Sequence, residues 1–302
     1  MNYKTPLELI GHTPIVKLDV VPDTVILAKY ELYNLTGSAK DKMALGMLTQ
    51  AEKEGKLKKG GTIIEATTGN TGIAFSALAA MRGYRMIAVI PEGQSLERIK
   101  MMRVYGATVI VTLIKLGPQG AIDERDRLAT EHPDYWVPDQ FGSKANIIAQ
   151  EATTAREILE QTNGDIDAVI HGVGTGGTLM ACANVIKKVN PKVKIIAVEP
   201  SESAVMSGGK PAHHNIQGIG EGFVPSIVDM KLIDEVVAVS TDEAIRETKQ
   251  LARKTGIFAG FSSGANIAAI RKISKGTNER FVTFLCDRGE RYLSVQALGV
   301  DE

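Results

Sequence analysis

The sequence predicts an α/β fold of two lobes, each a mostly parallel twisted sheet flanked by helices. Short β-branched runs alternate with helix-period segments along most of the chain. Those runs are nearly continuous in apolar residues rather than alternating, the pattern of strands covered by helices on both faces. The pattern also restarts part-way. Residues 41 to 145 hold three or four strand–helix units, and from about 146 the series begins again. A smaller lobe is therefore expected at 41–145 and a larger one from 1–40 together with 146–302.

In chain order, strands are expected at TVILAKY (24–30), GTIIEA (61–66), RMIAVI (85–90), ATVIVT (107–112), DAVIHG (167–172), KIIAVE (194–199), EVVAVS (235–240) and RFVTFLC (280–286). Helices are expected between them, among them 40–56, 71–82, 179–189 and 241–256. The last has Thr241 as N-cap and Gly256 as stop. Ligands of such folds sit where strands end and helices begin, and the glycine- and hydroxyl-rich stretches fall there.

Composition narrows the function. The 302 residues carry 35 basic and 35 acidic side chains, a formal net charge of zero, with no basic run suited to a phosphodiester track. Nucleic acid is thus not expected as a partner. Cys182 and Cys286 stand far apart and in no metal-ligand spacing, so neither a disulfide framework nor a metal is expected, and a reducing cytoplasm is the natural setting. The N-terminal residues do not read as a signal peptide, and no apolar run approaches the length of a membrane span.

Four stretches carry candidate chemistry. In Asn34-Leu35-Thr36-Gly37-Ser38-Ala39-Lys40-Asp41-Lys42, Lys40 opens a helix. A cation is misplaced at that partly positive end, whereas a neutral amine or imine is not; taken alone, Lys40 also reads as a solvated surface lysine. In Thr67-Thr68-Gly69-Asn70-Thr71-Gly72, hydroxyls and amides cluster at a strand-to-helix turn, a nest for a carboxylate or phosphate, or an ordinary capped turn. The glycines of Gly172-Val173-Gly174-Thr175-Gly176-Gly177-Thr178 let backbone approach a phosphate. This stretch equally satisfies a dinucleotide-binding pattern, with Glu199 as the ribose-binding acid, which keeps a nicotinamide-dependent oxidoreductase open. The fourth, Gly260-Phe261-Ser262-Ser263-Gly264-Ala265-Asn266, precedes another helix. A Ser-His-Asp hydrolase is not expected: Ser262 is read as lacking a Gly-x-Ser-x-Gly elbow, and the histidines, among them the pair His213-His214, show no partner acid.

In this order, from Leu9-Ile10-Gly11-His12-Thr13-Pro14 to Asp287-Arg288-Gly289-Glu290-Arg291-Tyr292-Leu293-Ser294, the stretches resemble the cysteine synthase and cystathionine β-synthase family. These are fold type II pyridoxal-phosphate enzymes with a tryptophan synthase β-like architecture. The resemblance implies pyridoxal 5′-phosphate on Lys40, which also moves the substrate α-proton. It implies Asn70 on the ring hydroxyl oxygen, Gly174, Thr175, Gly176, Gly177 and Thr178 around the phosphate, and Ser262 facing the pyridine nitrogen. It implies Thr67, Thr68, Gly69, Thr71 and Gln140 on the substrate carboxylate, and Gly220 and Glu221 beside the substrate side chain. The smaller lobe is implied to close over the substrate, and the enzyme to be a homodimer acting on an amino acid and sulfide or a thiol. A serine at the pyridine, unlike an aspartate, does not force ring protonation, which favours loss and replacement of a β-substituent.

The chain departs from the family pattern at Leu35, Lys42, Ala66-Thr67-Thr68, Ser143-Lys144-Ala145-Asn146 and Cys286, none of which removes a group the cycle needs. No arginine stands near Gln217, and Glu221 is acidic, which together favour O-acetylserine over O-phosphoserine as donor; Glu221 also reads as a group that recognises the ammonium of homocysteine or cysteine, or as a solvent-facing carboxylate. Formation of L-cysteine with sulfide is expected. Condensation with homocysteine, release of sulfide from cysteine and a catalytically silent binding protein remain alternatives.

Overall fold

A computed structural model describes residues 3–276 and 278–299; Met1, Asn2, Thr277 and the residues from 300 onward lie outside it. The strands are β1 (Ile15–Leu18), β2 (Val25–Tyr30), β3 (Thr62–Ala66), β4 (Arg85–Pro91), β5 (Thr108–Thr112), β6 (Ala168–Gly172), β7 (Lys194–Pro200), β8 (Glu235–Val239) and β9 (Arg280–Leu285). The helices are α1 (Lys40–Lys53), α2 (Asn70–Arg82), α3 (Leu96–Val104), α4 (Gly117–Glu131), α5 (Lys144–Gln150), α6 (Arg156–Thr162), α7 (Gly177–Val189), α8 (Thr241–Thr255) and α9 (Phe261–Ile273).

Among the described residues two sheets form, one with the order β1-β2-β9-β6-β7-β8 and one with the order β3-β4-β5. Every neighbouring pair is parallel except β1 with β2, which runs antiparallel from Ile15↔Lys29 to Leu18↔Ile26. Side chains alternate between faces along a strand, so each strand feeds two cores. In β6, Ile170 packs with Phe261 and Ala265 of α9, while Val169 packs on the opposite side with Leu179 and Ile186 of α7. In β3, Ile63 faces Met43 and Met47 of α1 and Ile73 of α2, and Ile64 faces Ala121 of α4. The edge strands β1, β5 and β8 keep exposed positions, whereas β3 and β6 are buried at every position. That is the physical origin of their continuous apolar reading.

Two local expectations need correction. β1 lies in no expected strand: it is four residues at the sheet edge, with Lys17 exposed and only Leu18 buried. The N-cap of α8 is Ser240, not Thr241. The Ser240 hydroxyl accepts from the Glu243 amide while the Glu243 carboxylate accepts from the Ser240 amide, a reciprocal box that satisfies two amide donors at the helix start. Gly256 ends α8 at φ 74°, as expected.

Beside α1 the larger sheet holds a buried charge cluster. Lys42 donates to Glu31 at 2.9 Å and Glu157 at 2.7 Å, and Lys29 approaches the same Glu157 oxygen at 2.7 Å. Burial pushes the Glu157 carboxyl up, but the Lys42 charge and the hydrogen bonds from Lys29 and Lys42 outweigh it, leaving it at about 2. A depressed carboxyl stabilises the fold above its unfolded value of 4.5, a contribution lost as pH falls toward about 2. Glu157→Gln leaves Lys29 without a carboxylate partner. It is expected to cost about 3–5 kcal/mol, measured by urea unfolding at neutral pH, with the difference from wild type shrinking in acid.

Candidate active site

A cavity opens at the C-terminal ends of β3, β6 and β9, between the two sheets. Lys40 lines it from the first position of α1. Its amide reaches the Ser38 hydroxyl at 3.4 Å, but its ammonium nitrogen has no hydrogen-bond or ion-pair partner among the described residues. The neighbouring Asp41 is consumed structurally: fully buried, it accepts from the amide and hydroxyl of Thr36, and burial pushes it up to about 6.

The β3–α2 turn supplies one wall. Thr67 Oγ1 accepts from the amides of Gly69 at 2.9 Å and Gly72 at 3.2 Å, folding the turn on itself. The amides of Thr68, Asn70 and Thr71 are left without an acceptor among the described residues, a group of donors at a helix N-terminus suited to a carboxylate. Thr71 donates to Gln140 at 2.6 Å, and Gln140 donates to the Ala66 carbonyl at 2.7 Å. Asn70 Nδ2 donates to Asp287 at 2.7 Å, and Asn70 Oδ1 accepts from Arg291 at 2.5 Å. With two amide hydrogens on Nδ2, Asn70 keeps one donor after that contact.

The β6–α7 turn supplies the opposite wall. The amides of Gly174, Thr175 and Gly176 have no acceptor among the described residues. Gly176 has φ +81°, and side chains at Gly174 and Gly177 would collide with the Gly218 carbonyl and with Asn146. Only backbone fits there, so the turn presents a concave row of donors at the start of α7. A phosphate monoester matches that row.

Ser262, in the first turn of α9, is buried and lines the cavity with Cys286. Gly260-Phe261-Ser262-Ser263-Gly264 does carry the Gly-x-Ser-x-Gly spacing of a hydrolase elbow. A triad is nonetheless absent among the described residues: the histidine lining the cavity is His171, whose Nδ1 has no partner to orient it. Burial, and then the Lys40 charge, push His171 down to about 3, so it is neutral. Burial, and then Asp287, push Cys286 up to about 12, so it stays a thiol. The carboxylate of Glu199 is taken by the amides of Met206 at 2.7 Å and Ser207 at 3.1 Å, which removes it as a ribose ligand.

The structure thus brings Lys40, Thr67, Thr68, Asn70, Thr71 and Gln140 to one cavity with Gly174, Thr175, Gly176, Thr178, Glu221 and Ser262. Gly69, Gly177 and Gly220 stand behind its surface. Gly69, at φ +146°, leaves room for the Arg98 side chain, and Gly220 borders an adjoining outer cavity. Sequence reasoning missed Arg98. It comes from α3, donates to the Gln217 side chain at 2.6 Å, and contacts Asp287 at 3.4 Å. An arginine therefore does reach Gln217, from a remote element. His171 was also passed over, although a polar residue inside the apolar run Ala168-Val169-Ile170-His171-Gly172 is a readable signal.

The profile of the family described as "Pyridoxal-phosphate dependent enzyme" matches residues 7–287. The chain belongs to that family. Within it, this pyridoxal-phosphate enzyme is of the cysteine synthase and cystathionine β-synthase-like, fold type II kind. It is 45% identical over 278 residues to a cysteine synthase of Flavobacterium sp., covering 91% of each chain. The structure of an O-ureido-L-serine synthase superposes with a TM-score of 0.94 at 38% identity, over 100% of this chain and 97% of that one. That of an O-acetylserine dependent cystathionine β-synthase from Helicobacter pylori superposes with a TM-score of 0.91 at 36% identity, over 97% and 98%. Fold type II enzymes of this family bind pyridoxal phosphate and carry out β-elimination and β-replacement on small amino-acid substrates. Among the described residues no helix is long and apolar enough to cross a membrane.

Proposed function

We propose that the chain replaces the acetate of O-acetylserine by sulfide or a thiol, forming L-cysteine in the sulfide reaction, as a homodimer in the cytoplasm. The observation that carries the reading is the convergence on one cavity of a lysine with no partner among the described residues, two donor rows of different shape and a buried serine. When bound, pyridoxal phosphate supplies the electron sink for carbanion chemistry at the substrate Cα. The residues around it do the rest. Lys40 Nζ anchors the cofactor, then takes a proton from Cα and later returns one. The amides of Thr68, Asn70 and Thr71, with Gln140, orient the substrate carboxylate. Gly174 to Thr178 hold the phosphate, and Asn70 gives its remaining amide hydrogen to the ring oxygen. Ser262 offers the pyridine nitrogen a hydroxyl, which leaves the ring less electron-withdrawing than a carboxylate partner does. Closing of the 41–145 lobe over the carboxylate excludes water from the reacting carbon.

The donor preference rests on Glu221, because Arg98 reaches the Gln217 position and is shared there with Asp287. A carboxylate facing the β-substituent disfavours a phosphate leaving group. Steady-state assays with O-acetylserine and O-phosphoserine are expected to give acetate release with the higher kcat/KM and cysteine once sulfide is added. Faster turnover of O-phosphoserine, or no acetate release, overturns the reading.

A further inference from the structure

Glu221 stands where two cavities meet. It lines the inner one with Lys40 and Ser262, and the outer one with His213, His214 and Phe223. It is 9% exposed. Its one hydrogen bond comes from Thr68 Oγ1 at 3.3 Å, and no lysine or arginine pairs with it among the described residues. Buried carboxylates that serve the fold are met by several donors, as the amide and hydroxyl contacts of Asp41 and Glu199 show in this chain. Glu221 is the exception. Its backbone is held: Gly220 and Gly222 flank it at φ +70° and +86°, and the Gly220 amide donates to the Val173 carbonyl at 3.0 Å, pinning the loop to the glycine turn.

We infer that Glu221 accepts the proton of the second substrate, a neutral thiol entering from the outer cavity, and thereby selects it over an anionic nucleophile. The inference rests on the β-replacement reading above. As the S–Cβ bond forms, the S–H bond breaks and its proton passes to a Glu221 carboxylate oxygen. The electron pair displaced from Cβ collects at Cα, where Lys40 Nζ returns the proton it removed; acetate has already left with its own electron pair. Glu221 then gives its proton to water through the outer cavity. A hydrosulfide anion needs no such base and is repelled by the carboxylate. A thiol with an ordinary value near 8.5 (about that for free cysteine) enters neutral solution protonated and needs one. Burial pushes the Glu221 carboxyl up, with the Thr68 hydroxyl and the Lys40 and Arg98 charges opposing, which makes it a better proton acceptor than a solvated glutamate. The groups facing it are Lys40, Arg98, His171 and Cys286 in the inner cavity, and Glu92, Lys115, His213 and His214 in the outer one.

The test compares wild type, Glu221→Gln and Glu221→Asp with O-acetyl-L-serine as donor and L-homocysteine or sodium sulfide as acceptor, across pH. The ratio of kcat/KM for homocysteine to that for sulfide is expected to fall at least ~10-fold in Glu221→Gln, at the low end of general-base effects. Wild-type activity with homocysteine should decline toward acid as the carboxylate protonates, a limb absent from Glu221→Gln and kept by Glu221→Asp. An unchanged ratio, or an acid limb that survives in Glu221→Gln and so belongs to the histidines, overturns the inference. Serine formation that needs Glu221 while cystathionine formation does not makes water the substrate of this base and overturns thiol selection. Absence of acetate release by wild type overturns the β-replacement reading and this inference with it; acetate release with an unchanged ratio overturns the role of Glu221 alone.

Discussion

Lys40→Ala is expected to lose the visible absorption of the lysine-bound cofactor and to lower kcat by about 10²–10⁴-fold, the span of a lost acid–base group. The fold should not register the change. The Lys40 side chain has no partner among the described residues, and the backbone amide that reaches Ser38 remains. Alanine is also a good helix former at the opening of α1. Urea unfolding of the cofactor-free protein should therefore match wild type within about 0.5 kcal/mol. Absorption spectra with added pyridoxal phosphate, recorded beside the unfolding curves, check both halves. A retained covalent band places the anchoring amine elsewhere.

Asp287 should produce the second large effect, by another route. It is fully buried, and its Oδ2 is shared by Asn70 at 2.7 Å, the Tyr292 hydroxyl at 2.6 Å and Arg98 at 3.4 Å. Arg98 in turn donates to the Tyr292 hydroxyl and lies over the Tyr292 ring at 4.5 Å. Asp287→Ala leaves the Arg98 charge buried without its carboxylate, a loss of about 3–5 kcal/mol for a broken buried pair. Asp287→Asn keeps the shape but also takes the charge from Arg98, so its unfolding curve is recorded beside the cofactor titration to separate stability from positioning. One hydrogen bond to a charged group is worth about 1.5–3 kcal/mol. Loosening Asn70 should thus weaken pyridoxal phosphate affinity by about 10- to 150-fold, read by fluorescence titration. If Asp287→Asn binds the cofactor as wild type does, Asp287 serves the fold alone.

The chemistry that was readable from sequence is the chemistry carried by contiguous turns. Thr67 to Gly72 and Gly172 to Thr178 each join a buried strand to a helix, so spacing, glycine and hydroxyl content sit within one short window. What could not be read is what arrives singly. Arg98 lies on a helix whose pattern gives no reason to direct that one side chain inward, and it reaches the cavity only because Gly69 leaves room for it. Asp287 and Tyr292 are plain residues of the closing motif until their partners, some two hundred residues away, are placed beside them. β1 escaped because Ile15-Val16-Lys17-Leu18, though mostly apolar, is only four residues long, too short for a period to show, and lies at the sheet edge with one buried position. Lys42 reads as a departure from the family pattern, yet it is fully buried between Glu31 and Glu157, a placement that depends on a carboxylate 115 residues away.

The strand order of the larger sheet also governs when the protein can assemble. β9 is the last strand among the described residues, yet it lies between β2 and β6, pairing with Val25 to Tyr30 on one side and with Ala168 and Val169 on the other. During synthesis β1 and β2 leave the ribosome well before β9, and one edge of β2 stays open until Arg280–Leu285 has been made. The β3-β4-β5 sheet, drawn from one unbroken stretch of chain, has no such delay. A nascent chain stopped before Arg280 is expected to leave β2 and β6 with unpaired edges, which invite aggregation and chaperone capture.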